Sequence, residues 1–223
     1  MTVWDGGRLA TALLTRLYRM MYIILYRQPM RYSQEHKLET RRRIVYEASR
    51  RFRGQGSEGF SIADLMHDLK LTHGGFYRHF NSKEQLFAEA LASAVQEAHA
   101  KLTTGSDAKT PASQLRVIIE RYLSPWHWAN PSEGCPLAAL ASEMPRQPRA
   151  VRAAFDQALE TYMDGIERLL PGKTRPERQR NFLVLFSGMA GTLSLARAVS
   201  DEQTRARLLH AAQEFYINAF CQG

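Results

Sequence analysis

Cysteine is scarce in this chain, and the common catalytic signatures are missing. Only Cys135 and Cys221 occur among 223 residues. Neither sits in a Cys-x-x-Cys pair or a Cys/His cluster, so the spacing offers no structural zinc site, and a reducing, cytoplasmic setting fits. There is no G-x-S-x-G, H-E-x-x-H, P-loop or G-x-G-x-x-G, so no catalytic residue, cofactor or metal is expected. The seven histidines are scattered. No stretch alternates apolar and polar residues as a half-buried strand would, which leaves an all-α reading.

A membrane-spanning run is lacking too. The nearest is Leu9–Tyr26, LATALLTRLYRMMYIILY, which is short and carries Arg16 and Arg19. No small-residue cleavage site follows it, as a signal peptide requires. One reading makes it an amphipathic helix on a membrane surface. The other, taken as the expectation, makes residues 1–33 an N-terminal extension, poorly ordered or an isolated helix, or else makes Met30 the start that the cell uses. A membrane partner is then not expected.

Positive charge is what the chain has in excess. Its formal net charge is +8, which suits a nucleic-acid partner without requiring one. Much of it lies in 36–53, predicted as a helix with Ile44, Ala48 and Phe52 on one face. Arg41, Arg42, Arg43, Arg50, Arg51 and Arg53 cover most of the rest. Such a run is ordinarily a solvated face, and the sharper reading is a phosphate-facing one. Gly54-Gln55-Gly56 ends this helix.

The stretch Phe60–Lys83, FSIADLMHDLKLTHGGFYRHFNSK, holds two short helical patterns and a tight turn. Ser61 is an N-cap followed three residues on by Asp64. Ile62, Leu65, Met66 and Leu69 recur at helical spacing. Lys70 and Leu71 break the helix, and Thr72 caps the next. That is the helix-turn-helix layout, whose second helix enters the major groove. Thr72 and His73 offer hydrogen bonds, Gly74 and Gly75 allow close backbone approach, and Tyr77, His79 and Lys83 are within range of phosphates.

Together these residues resemble the DNA-binding domain of the TetR/AcrR family of bacterial transcriptional regulators. The resemblance rests on the Ile62–Leu65 helix, the Leu71-Thr72 turn, Gly74, the Phe76-Tyr77-x-His79-Phe80 block and the Ser82-Lys83-Glu84 helix start. It spans roughly residues 37–91. Where the family usually has Gly in the turn, this chain has Lys70. The stretch GCPLAALASE also resembles a subgroup with a Gly-Cys-Pro segment, some of whose members sense electrophiles through a nearby cysteine. The resemblance implies DNA contacts by Arg42, Ser61, Thr72, His73, Gly74, Tyr77, His79 and Lys83. It also implies dimerisation through the final two helices.

Beyond Ser82, a long helix is predicted to about Lys101, then a polar loop, TTGSDAKTP, before Pro111. Helical patterns continue to the C-terminus. The expected architecture is a three-helix DNA-binding domain over 37–98, with the motif at 61–80. A larger helical ligand-binding and dimerisation domain is expected over 111–221. Tyr122, Trp126, Trp128, Phe155 and Tyr162 are candidates for an apolar pocket, though aromatics at helical spacing commonly form plain core. Cys135, at a predicted helix start, is a candidate sensor or a buried apolar residue. Phe182, Phe186, Met189, Leu209, Phe215 and Tyr216 are the expected dimer contacts.

The function these expectations add up to is a ligand-responsive transcriptional regulator. It would be a homodimeric repressor, released from a palindromic double-stranded DNA operator by a small-molecule effector. The rival reading is an all-α small-molecule-binding protein or enzyme without DNA binding.

Overall fold

The computed structural model describes Met21 and residues 29–221, so the expected extension and the Leu9–Tyr26 segment lie almost wholly outside the described residues. All regular elements among the described residues are helices, and none is long and apolar enough to cross a membrane. The chain divides into two compact units, Met1–Arg43 and Ile44–Gly223. Helix α1 (Pro29–Gln55) begins in the first.

In the second unit, α2 (Ile62–Asp68) and α3 (His73–Phe76) form the helix-turn-helix, and the C-terminal part of α1 packs against them. Ile44, Ala48 and Phe52 are buried with Phe60, Leu65, Met66, Phe76 and Phe80, so apolar spacing of four on α1 becomes one packed face. Phe52 lies 4.9 Å from Phe60 and 4.8 Å from Phe87, ring centre to ring centre. Phe87 belongs to α4 (Lys83–Thr103), which Ser82 caps by accepting from the Gln85 amide at 3.2 Å. Because α4 also packs on helices further along the chain, residues 44–221 share one continuous core.

Proline and hydroxyl caps set the later boundaries. Thr110 caps α5 (Pro111–Tyr122), and Ser124 caps a separate short helix, α6 (Pro125–Ala129). The sequence leaves open whether Trp126–Trp128 continues α5. Pro125 settles it, because proline disfavours a helical residue before it and lacks the amide that α5 would need to run on. A 3-10 turn (Pro131–Glu133) leads into α7 (Pro136–Leu140), which stops five residues short of Pro145; a second 3-10 turn holds that proline. Then come α8 (Arg149–Ile166), α9 (Arg175–Ala198) and α10 (Glu202–Phe220).

Candidate nucleic-acid interface and ligand cavity

The turn between α2 and α3 is built by local chemistry. Ser61 and Asp64 form a reciprocal capping box, with Asp64 N donating to Ser61 Oγ at 3.1 Å and Ser61 N donating to Asp64 at 3.1 Å. At the other end of α2, Lys70 N donates to His67 O at 2.9 Å and Leu71 N to Met66 O at 2.8 Å. This is the Schellman pattern, and it places Lys70 at φ 60°, where glycine is the usual occupant. A side chain in that conformation costs roughly 1–2 kcal/mol. Thr72 then caps α3 by accepting from Gly75 N at 3.2 Å.

The resulting turn has two faces. Phe76 and Phe80 are buried and stacked 5.4 Å apart, while Thr72, His73, Gly74 and Tyr77 are exposed, Tyr77 at 63%. Helix α3 ends at Phe76, and His79 lies in the turn that follows, half-buried. Ser61 is exposed but occupied with its cap. Lys83 donates to Phe60 O at 3.3 Å and sits 5.4 Å above the Phe60 ring, which ties it to the fold. Arg42 is exposed on the part of α1 that belongs to the first unit.

The arginines of α1 beyond residue 43 are not a free basic face. Arg50 pairs with Glu133 at 2.7 Å, and Arg51 pairs with Glu47 at 3.1 Å and also with Asp68. The side chain of Arg53 is only 1% exposed. It donates to Ser49 O at 3.2 Å, Glu97 at 2.9 Å and Gly134 O at 3.0 Å. Sequence spacing puts Arg53 on the charged side of α1 but is silent on partners 44 and 81 residues away. Ser57 adds a third crossing: its amide and hydroxyl donate to Glu143 at 2.8 and 2.5 Å.

The segment these donors grip also walls a cavity of about 390 Å³. Glu133, Gly134 and Cys135 line it with Trp126, His127 and Leu102. Its cations are already engaged. Lys101 pairs with Glu97 at 2.8 Å and Glu133 at 3.3 Å, and Arg121 donates to the carbonyls of Leu102 at 3.0 Å and Thr104 at 2.7 Å. Donors from Arg50, then Lys101, hold the Glu133 carboxyl below the usual carboxylate range.

His127 fixes the geometry of the wall. Its Nδ1 lies 2.6 Å from Tyr122 O, and its Nε2 accepts from the Cys135 amide at 2.8 Å. A carbonyl can only accept, so Nδ1 carries the hydrogen and the ring is neutral. Burial pushes its pKa down to about 4 against the opposing pull of the Tyr122 carbonyl, with Arg197, Lys101 and Arg53 adding to the depression. Gly134 is required here, because a Cβ would lie 2.5 Å from the imidazole.

Of the sequence-predicted pocket residues, Trp126 and Cys135 line this cavity, with Cys135 only 1% exposed. Tyr122 and Tyr162 are buried behind Cys135, and burial, then the thiol beside them, drives both phenols well above their ordinary value. Trp128 donates to Ala196 O at 2.9 Å and lies under the Arg205 guanidinium, 3.8 Å from its ring centre. Phe155 packs against the core, half-buried.

The residues expected as dimer contacts on the last two helices differ in exposure. Phe182, Phe186, Met189 and Leu209 are buried inside the chain, Phe182 and Phe186 stacked at 5.3 Å and Phe186 against Tyr162 at 5.5 Å. They are not free to meet a partner. The exposed apolar side chains on α9 and α10 are Leu183, Val184, Leu195 and Phe215, the last 65% exposed. Tyr216 is half-buried against Gly188, whose missing Cβ would lie 2.1 Å from its hydroxyl. The close approach at Gly188 is therefore between α9 and α10 of one chain.

With this geometry in place, likeness to known proteins is informative. Residues 44–90 match the family described as bacterial regulatory proteins, tetR family. The chain is 31% identical over 86 residues to the HTH-type transcriptional regulator TtgR of Pseudomonas putida, an alignment spanning 39% of this chain and 40% of that protein. It is 25% identical over 134 residues to the HTH-type transcriptional regulator LmrA of Bacillus subtilis, covering 59% and 71%. A TetR transcriptional regulator from Chloroflexus aurantiacus superposes with a TM-score of 0.68 at 24% identity, covering 82% of this chain and 95% of that one. Reduced E. coli NemR gives 0.68 at 16% identity, covering 82% and 97%. The structural likeness establishes the fold, and the family match falls on residues 44–90.

Proposed function

We propose that this chain, with a TetR-type domain over residues 44–90, is a ligand-responsive DNA-binding transcriptional regulator. It acts as a homodimeric repressor released from a palindromic operator by a small apolar effector. The observation that carries this reading is the two-faced turn: Phe76 and Phe80 lock α3 to the core while Thr72, His73, Gly74 and Tyr77 face outward. A helix so held enters a major groove with its N-terminal residues at base edges. One such turn reads few base pairs, and a two-fold partner supplies the second half-site. Leu183, Val184, Leu195 and Phe215 supply its apolar face.

Control runs through the cavity wall. An effector against Glu133, Gly134 and Cys135 touches the segment that holds Arg50 and Arg53 of α1. It shifts the population between operator-competent and incompetent arrangements only by its different affinity for the two. Fluorescence anisotropy with duplex DNA from upstream of the chain's own gene, at two salt concentrations, tests the reading. Tight binding that weakens steeply with salt is expected. Absence of binding at low salt would leave only a small-molecule-binding protein.

A further inference from the structure

A second cavity, of about 350 Å³, opens beside the first and shares Leu102 with it. Its character differs. Among the described residues lining it, only Arg168 carries a fixed charge, and none is a carboxylate. The nearest acids along α8 and its end, Asp164 and Glu167, are both taken by Arg175, at 2.9 and 3.0 Å. Arg168 is exposed and makes no ion pair among the described residues. The first cavity offers no such spare charge, since Lys101 and Arg121 are both occupied.

The rest of the lining is divided between polar and apolar. Leu102, Val117, Ile118 and Leu169 form an aliphatic wall. His99 lies beside Gly165, where a Cβ would come within 2.6 Å of the ring, so glycine gives the imidazole its place. Burial lowers the His99 pKa from its ordinary 6.5, leaving a neutral ring with one N–H to donate. The rim is fixed before any ligand arrives. Gln114 Nε2 donates to Ala108 O at 3.1 Å, Ala108 N donates to Ser106 Oγ at 3.2 Å, and Arg121 holds the carbonyls at the end of α4.

An unpaired guanidinium at the edge of an aliphatic pocket, with neutral donors beside it and no competing carboxylate, matches a ligand with one anionic head and an apolar tail. We propose that this cavity binds a medium-chain aliphatic carboxylate, its head at Arg168 and its tail along Leu102, Val117 and Ile118. The site stands apart from operator binding, so its failure would leave the regulator reading untouched.

Isothermal titration of the full chain with octanoate, without DNA, tests it, with octan-1-ol as the same tail lacking charge. One saturable octanoate site per chain is expected. Octanol should bind roughly tenfold more weakly or worse, the scale of one charge-assisted hydrogen bond. Arg168→Met should weaken octanoate by a similar factor and leave octanol unchanged. Val117→Trp, which fills the cavity, should abolish both. No octanoate binding to the unmodified chain, or unaltered binding to Arg168→Met, overturns the inference. Unaltered binding to a folded Val117→Trp does so as well. If Val117→Trp does not fold, the exposed Arg168 position decides alone.

Discussion

The Arg53 guanidinium donates to the carbonyl oxygen of Gly134 at 3.0 Å, joining α1 to the cavity wall across 81 residues of chain. The same group binds Glu97 on α4 at 2.9 Å, so one buried cation fastens three segments. Burial raises the cost of an ionised Glu97, yet Lys101 and Arg53 outweigh it and hold that carboxyl below its ordinary range.

Removing this cation should be costly. Arg53→Met keeps the aliphatic stem but leaves a buried carbonyl and a half-buried carboxylate short of donors, a loss of about 2–4 kcal/mol. Arg53→Lys should recover little, because an ammonium lacks the planar fork that spans these directions. Urea unfolding measures it. An unchanged midpoint for Arg53→Met would show that the network is dispensable.

His127 predicts a specific loss of stability in acid. Its folded pKa of about 4 lies below the ordinary 6.5 of an unfolded chain. Between those values the unfolded chain takes up a proton that the folded chain refuses. The contribution is therefore full above about pH 6.5 and declines as pH falls toward 4, by about 3 kcal/mol in all. Urea midpoints compared at pH 7 and pH 4.5 should fall in the native chain. The fall should be smaller in His127→Gln. An equal fall in both would assign it to other groups.

Tyr77→Ala separates reading DNA from folding. The side chain is 63% exposed, so the unfolding midpoint should move by no more than about 0.5 kcal/mol. Operator affinity should drop by about 1–3 kcal/mol. Anisotropy with unchanged affinity would place the DNA contact elsewhere.

The two classes of aromatic on the last helices should behave oppositely. Phe215→Glu, at a 65% exposed position, is expected to turn dimer into folded monomer in sedimentation equilibrium. Phe182→Ala removes a fully buried ring and should instead cost about 3–5 kcal/mol of stability. A Phe215→Glu chain that still sediments as a dimer would put the interface on another surface.

What the sequence discloses here is mostly short-range. The caps at Ser61, Thr72 and Ser82 are legible because each bonds an amide three residues on. Lys70 is legible as an irregularity because the turn chemistry around it is local. The facing of α9 is not, since Phe182-Leu183-Val184-Leu185-Phe186 is apolar on every side and periodicity then selects no face. Gly188 marks a close approach, but its partner, Tyr216, depends on how α10 returns. Arg53 is the extreme case. Among the neighbouring arginines of α1, nothing local distinguishes the one that folding buries.

The crossings from Arg50, Arg53 and Ser57 to the 133–143 segment also limit how this molecule can be recombined. A chimaera joining residues 44–103 to the C-terminal half of another protein of this fold would leave Arg53 without its carbonyl acceptor and Ser57 without Glu143. The two halves are not interchangeable modules, and a stable transplant carries the wall segment from Glu133 to Glu143 together with the N-terminal helices it holds.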